Sequence, residues 1–332
     1  MNNKKHFSQI DFIRTFCAFA IIIYHYSCEA KTIFKPSHIF ANGDIGSVIV
    51  TVFFIVSGFV LYHSNNEINS LKQFYLKRFK SIFPSFYICW FIFYLLNVIK
   101  VRTPFYAGSP IKFIFTLIGM DGYLSQRIVT YYTVGEWFLG ALIFVYLLYP
   151  LLLKGIKKND KLVLALLLVA TIVINAFNIP TISPGFPGIV ESCLKVYIGM
   201  MIYKYKELLN NNIFLLCCVI VVVIYSFVSI SFLNVLFALL YSIGIFVILF
   251  RLGTILTKSK ITSGIFKELG SLTYPIFLCH HQLLLILLGI FTPNSIISAI
   301  LFVIITIILC IVFAKIIQII TKLIINKLET VR

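Results

Sequence analysis

Ten apolar runs, each near the roughly 20 residues a helix needs to cross a bilayer, follow one another along this 332-residue chain. They occupy 12–28, 45–63, 82–99, 134–153, 161–177, 187–203, 213–231, 233–250, 271–290 and 296–320. Inside hydrocarbon every backbone amide and carbonyl needs a partner within the chain, so such runs predict helices. The predicted fold class is an all-α polytopic membrane protein, a bundle of about 10 transmembrane helices. With 60% of residues hydrophobic and 12% charged, no soluble domain of this length closes around one core. Residues 111–120 are apolar but too short to span, and predict an interfacial or re-entrant piece. No linker, low-complexity stretch or internal repeat divides the chain, so 1–332 reads as a single membrane-embedded domain.

The formal net charge of +17 would suggest nucleic acid for a soluble protein; here its distribution reads as orientation. Alternate connecting segments collect the cations: Lys4 and Lys5; Lys72, Lys77, Arg78 and Lys80; Lys154, Lys157, Lys158 and Lys161; Lys204 and Lys206; Arg251, Lys258, Lys260 and Lys267; and Lys315, Lys322, Lys327 and Arg332. The intervening ones hold only Lys31, Lys35, Lys100, Arg102, Lys112 and Arg127. Lys and Arg accumulate on the cytoplasmic side, so both termini are expected there and residues 100–133 outside. The basic start MNNKKH leads into an apolar run with Tyr24, His25 and Tyr26 where a small-residue cleavage site would stand, which predicts an uncleaved signal anchor. The eight cysteines fall almost wholly inside apolar runs without metal-ligand spacing, so they read as packing residues and no metal is expected.

Chemistry is sought where polar groups interrupt these runs, because an intramembrane charge costs roughly 2.5–3.5 kcal/mol at a helix centre. The first run, IDFIRTFCAFAIIIYHYS, carries Asp11, Arg14 and His25. Eleven residues make close to three helical turns, which places Arg14 and His25 on one face roughly 16 Å apart. A snorkelling Arg and a hydrogen-bonded packing His explain the same residues equally well. Ser57 and Gly58 in FFIVSGF predict close helix packing rather than a nucleophile. Lys77, Arg78 and Lys80 precede Pro84 at the start of the third run, partly as positive-inside residues and partly as a site for a polyanion. Glu136 opens the fourth run beside Trp137, as a base or a partner for His25. Glu191 and Lys195, spaced i,i+4, predict a structural ion pair. His280 and His281 lie in the ninth run and, as sequence neighbours on a helix, point in different directions, so one of them at most is expected to face a site.

The pieces D-x-x-R with Arg14 and His25, FFIVSGF at 53–59, KRFKSIFPSFY at 77–87, EWFLGALIFVYLLYP at 136–150 and LTYPIFLCHH at 272–281, in this order, resemble the integral-membrane acyltransferase-3 family. The resemblance implies O-acylation of cell-surface sugars, commonly with acetyl from acetyl-CoA. It implies Asp11, Arg14 and His25 as the first-helix site, the basic residues before Pro84 as cofactor contacts and His280 as the late-helix histidine. Ser81 departs from it where a basic residue is usual, so either Lys80 substitutes or the coenzyme contact there is weaker.

These readings lead to a membrane O-acyltransferase of the plasma (cytoplasmic, inner) membrane, carrying an acyl group from acyl-CoA in the cytosol to a hydroxyl of a cell-surface or lipid-linked glycan. Its expected partners are acyl-CoA, the glycan acceptor and the bilayer, not nucleic acid. The expected catalytic residues are His25, Glu136 and His280, and the expected coenzyme contacts are Arg14, Lys77, Arg78 and Lys80. The alternative is a transporter or flippase for an anionic or lipid-linked substrate, whose path the same ionisable groups would line; the paired broken helices and inverted repeats common there are not evident.

Overall fold

Lipid leaves helix as the one open-ended way to satisfy a backbone, and the chain complies, being 83% helical with no strand among the described residues. The computed structural model describes residues 6–30, 35, 45–182, 187–227 and 234–330, with Glu136, Asn234, Leu328 and Glu329 described by backbone alone. Lys4, Lys5, Lys31 and Arg332, which enter the orientation argument, lie outside the described residues.

The helices are α1 (Ser8–Glu29), α2 (Ile45–Ser64), α3 (Leu71–Val101), the short α4 (Phe113–Leu117) and α5 (Asp121–Leu124), α6 (Glu136–Ala176), α7 (Ile189–Lys204), α8 (Asn212–Phe227), α9 (Asn234–Leu256), α10 (Lys260–Ile290) and α11 (Ile296–Thr330). Seven of them, α1, α2, α3, α6, α9, α10 and α11, are long and apolar enough to cross a membrane. The expected fourth and fifth runs are merged in α6, whose 41 residues are interrupted at Asn159 (φ −157°, ψ 91°). There the Asn159 side chain accepts from the Leu162 amide at 3.0 Å, so Asn159 caps a second helical arm.

The helices of the third and ninth apolar runs, α3 and α10, begin earlier than those runs. Ser70 caps α3 by accepting from the Gln73 amide, and Ser259 caps α10 by accepting from the Thr262 amide. At 31 residues each, these two helices reach about 46 Å, well beyond a ~30 Å hydrocarbon core. Lys77, Arg78 and Lys80 therefore ride on the extended end of α3, and Pro84 lies inside the helix rather than at its start.

α1 is enclosed by α2, α9 and α10, while α3 and α11 close the far side of α10. The closest approach is between α2 and α7, where a Cβ on Gly58 would meet the Val196 carbonyl oxygen at 1.9 Å and one on Gly199 would meet that of Ile55 at 2.0 Å. Two glycines interlock two backbones, the small-residue packing expected of Gly58. Its neighbour Ser57 donates to the Phe53 carbonyl at 2.8 Å in the helix's own previous turn, in keeping with a packing role. Glu191 and Lys195 form the expected ion pair at 2.7 Å on α7, with Lys195 buried and its ammonium 6.0 Å from the Phe54 ring centre. Opposite this core, α11 exposes Ile297, Ile300, Leu301, Ile304, Ile305 and Ile308, an apolar face suited to acyl chains.

The segment between α3 and α6 is tied down by aromatics. Trp90 donates from its indole to the Tyr131 carbonyl at 2.9 Å, and Tyr131 stacks on Phe113 with ring centres 3.9 Å apart. Asp121 is fully buried within it, and neither carboxylate oxygen has a hydrogen-bond partner.

Candidate active site

One helix carries the ends of two clusters. At the Arg14 end of α1, Asp11 is held by His6, whose Nε2 is 2.6 Å from Oδ2, and by the close approach of Gly270 on α10, where a Cβ would meet the Asp11 Cβ at 2.9 Å. Arg14 lies within charge range of Asp11 and of Tyr146 on α6. Tyr146 also engages Arg78 from α3, whose guanidinium carbon is 5.9 Å from its ring centre and 5.8 Å from that of Phe74. Arg78 Nε is buried without a hydrogen-bond partner, so this guanidinium keeps a donor unspent. Below them Tyr149 donates to the Leu61 and Asn65 carbonyls at 3.1 and 3.0 Å, fixing α6 against the end of α2. Arg14 and Arg78 thus both lie within charge range of Tyr146; on the same stretch of α3 Lys80 is half-buried and Lys77 exposed. Ser81 is exposed, its hydroxyl donating to the Arg78 carbonyl at 2.9 Å.

At the other end of the same helix three imidazoles converge. The His25 ring centre is 5.1 Å from that of His280 and 4.6 Å from that of His281. This corrects the expectation that one of the two α10 histidines at most faces a site: His25 enters between them, so consecutive side chains pointing apart both reach it. His280 is buried and its Nδ1 lies 2.7 Å from the Phe277 carbonyl oxygen. A carbonyl can only accept, so Nδ1 carries the proton and Nε2 is left as a lone-pair acceptor. That Nε2 is buried and has no partner. His281 Nε2 lies 3.2 Å from Glu29 Oε1, one turn beyond His25 on α1.

Glu136 is the first residue of α6, and its side chain lies outside what is described. Its backbone is placed by Gly135, whose amide donates to the Leu278 carbonyl of α10 at 3.4 Å and where a Cβ would meet the Phe277 carbonyl oxygen at 3.0 Å. The start of α6 therefore docks on the turn of α10 that holds His280. Among the described residues no three His, Cys, Asp or Glu side chains are arranged to hold a metal ion.

A basic, partly accessible cluster and a histidine cluster at opposite ends of one helix face suit a polyanionic donor at one end and a proton transfer at the other. The family model described as an acyltransferase domain (Acyl_transf_3) matches residues 7–315. The chain belongs to the acyltransferase-3 family. No curated protein and no solved structure matches it. The matched region runs from the residue after His6 to Lys315 in α11, and so contains α1 to α10 and both clusters. It supports a multi-pass membrane acyltransferase.

Tyr146 and Glu29 are the site residues not expected from the sequence, and His281 was expected there only as the alternative to His280. Tyr146 was present in the motif EWFLGALIFVYLLYP, and its signal is that a phenol inside a span must find a polar partner. Glu29 is the next charge after His25, four positions on and hence on nearly the same face.

Proposed function

We propose that this acyltransferase moves an acetyl group from acetyl-CoA on the cytosolic side to a hydroxyl of a cell-surface or lipid-linked glycan, in the plasma membrane, with both termini cytoplasmic. Arg14 and Arg78, with Lys80 and Lys77 at the extended end of α3, hold the coenzyme phosphates. Arg suits this because its planar fork binds two phosphate oxygens at once. Tyr146 keeps the two guanidiniums in register. The acetyl thioester extends along the α1 face toward His25, over a span of roughly 16 Å that matches the order of length of an extended pantetheine arm.

At the outer end His25 takes the proton of the acceptor hydroxyl as its oxygen bonds to the thioester carbonyl carbon. The tetrahedral oxyanion collapses, the carbon–sulfur bond breaks, and the departing thiolate takes the proton that His25 received, which frees the thiol and restores the neutral imidazole. His280, with its proton committed to Phe277, holds its ring against that of His25; Glu136 is assigned to the same end. In the two-step variant His25 Nε2 or Nδ1 itself attacks the thioester and expels the coenzyme thiolate, and the acceptor oxygen then displaces the imidazole, the hydroxyl proton going to the thiolate.

The observation carrying this reading is the convergence of His25 with His280 and His281 on the helix that also presents Arg14 to Tyr146 and Arg78. The test is transfer of labelled acetyl from acetyl-CoA to glycan in membranes holding the wild type or His25→Ala. Loss of transfer in a well-inserted His25→Ala protein that still binds acetyl-CoA is expected. A general base contributes typically 10²–10⁴-fold and a covalent acceptor more nearly the whole rate, so the residual activity and a search for acetyl-histidine separate the two routes. Wild-type transfer by that variant would remove His25 from the chemistry.

A further inference from the structure

The histidine cluster contains more than the proposed reaction uses. His25 is faced from α10 by His280 and His281 and from its own helix by Tyr24, whose ring centre is 5.3 Å away. His280 spends its proton on a backbone carbonyl and supplies no charge to its neighbour. His281 differs, because its Nε2 meets Glu29 Oε1 at 3.2 Å. A carboxylate only accepts, so that nitrogen carries a proton and the imidazole is oriented by an anion. Glu29 and His281 are both partly exposed, 39% and 31% by side chain, at the end of α1 that the charge pattern assigns outside. Glu29 follows His25 by four residues, one turn and about 6 Å along the same face.

A base that accepts a proton becomes a cation, and an imidazolium flanked by two imidazoles in an apolar bundle lacks a counter-charge unless a carboxylate is coupled to it. We propose that Glu29 and His281 form a positioning pair for His25: Glu29 fixes the His281 ring against His25 and supplies the negative charge that balances the proton His25 receives. This rests on the acyl-transfer reading above. The logic is that of a base oriented by a second group that is itself oriented by a third, with ring contact rather than a hydrogen bond as the link between the two histidines. Neither Glu29 nor His281 touches the reacting atoms, so neither is a catalytic residue. Glu136, on the first turn of α6, is the competing carboxylate at this end.

The test uses the full chain in membranes and compares Glu29→Gln, Glu29→Asp, His281→Gln and Glu136→Gln with the wild type. Glu29→Gln and His281→Gln are expected to lower kcat roughly 10–100-fold, the scale at which removing the outer partner of a functional histidine is felt elsewhere. KM for acetyl-CoA and for the acceptor should stay within about twofold, because donor contacts lie at the far end of α1. Glu29→Asp should recover most of the loss, since the carboxylate is kept; a merely structural role would not track charge in this way. Glu29→Gln with wild-type kcat overturns the pair, as does a loss carried by KM or by Glu136→Gln alone. Should Glu29→Gln fail to insert, His281→Gln decides by the same criteria. A second readout needs no activity: histidine-labelled protein should give a downfield His281 Nε2–H resonance that Glu29→Gln abolishes. Persistence of that resonance in the variant overturns the pair even where transfer is normal. Its loss alongside a wild type that transfers no acetyl counts against the acyl-transfer reading and not against the contact.

Discussion

Arg14 and Arg78 approach the same phenol, yet like charges in a bundle are tolerated only with anionic or strongly polar company. Asp11 answers for Arg14, and the Tyr146 hydroxyl and two ring faces answer for Arg78, which still keeps Nε unpaired. An unspent buried donor next to a second guanidinium is the local imbalance a phosphate would correct. Arg14→Lys is therefore expected to raise KM for acetyl-CoA about tenfold or more, since a charge-assisted contact contributes roughly 1.5–3 kcal/mol and a point charge cannot reproduce the planar fork. Arg78→Ala should do likewise, and equilibrium binding of a labelled coenzyme analogue measures both; unchanged affinity in each would return these cations to the positive-inside rule. Arg14 and His25 were legible in the sequence because a charge or imidazole in an apolar run is conspicuous whatever it contacts. The neighbours were not: that both His280 and His281 meet His25, and that Tyr146 lies within charge range of two arginines, follow from how α1, α3, α6 and α10 cross.

Among the elements, the α2–α7 contact and the segment between α3 and α6 show opposite kinds of packing. Gly58 and Gly199 allow carbonyls of the facing helix to within what would be 2.0 Å of a Cβ, so Gly199→Leu should prevent α7 from seating and abolish accumulation of folded protein. Gel filtration of the solubilised variant tests this; a monodisperse, wild-type-like peak would contradict the interlock. The segment between α3 and α6 instead buries a cost. Burial pushes the Asp121 carboxyl from 3.8 up to about 6, with the nearby Thr116 hydroxyl and Tyr131 amide only partly offsetting it. A carboxyl with a raised folded pKa contributes stability that is fully present below its unfolded value and is lost as pH rises through about 6. By pH 7 the ionised form costs this segment about 3 kcal/mol. Asp121→Asn should therefore raise the Tm or slow proteolysis at 100–133 near pH 7.5, and make little difference near pH 4. A variant whose advantage is the same at both pH values would show that ionisation is not the cause. The apolar runs made the helices readable here, whereas the joined arms of α6 and the early starts of α3 and α10 were not, because Asn159, Ser70 and Ser259 act through caps whose geometry depends on the folded turn.

For the molecule as a whole the proposed reaction depends on sidedness, because a coenzyme and a surface sugar are found on opposite sides of a membrane. The Lys and Arg asymmetry predicts the loop between α2 and α3 and the C-terminus inside, and the segment between α3 and α6 outside. The same assignment puts the Arg14–Tyr146–Arg78 cluster toward the cytosol and the Glu29 end of α1 toward the exterior. The chain carries its own reporter of this: Cys28 is exposed beside Glu29, whereas Cys17, Cys89, Cys193, Cys279 and Cys310 are buried. Cys28 should accordingly react with a membrane-impermeant maleimide added to intact cells, once exposed Cys217 of α8 is replaced by Ala to remove background. In a variant also lacking Cys28, Ser109→Cys should label from outside, and Glu67→Cys only after the membrane is opened. Both engineered positions are exposed, so reactivity reports the side and not the burial. Labelling of Ser109→Cys and Cys28 solely from the cytosolic face would invert the bundle, bring the histidines to the coenzyme's side and dismantle the two-sided reaction, even though every contact within the fold would stand.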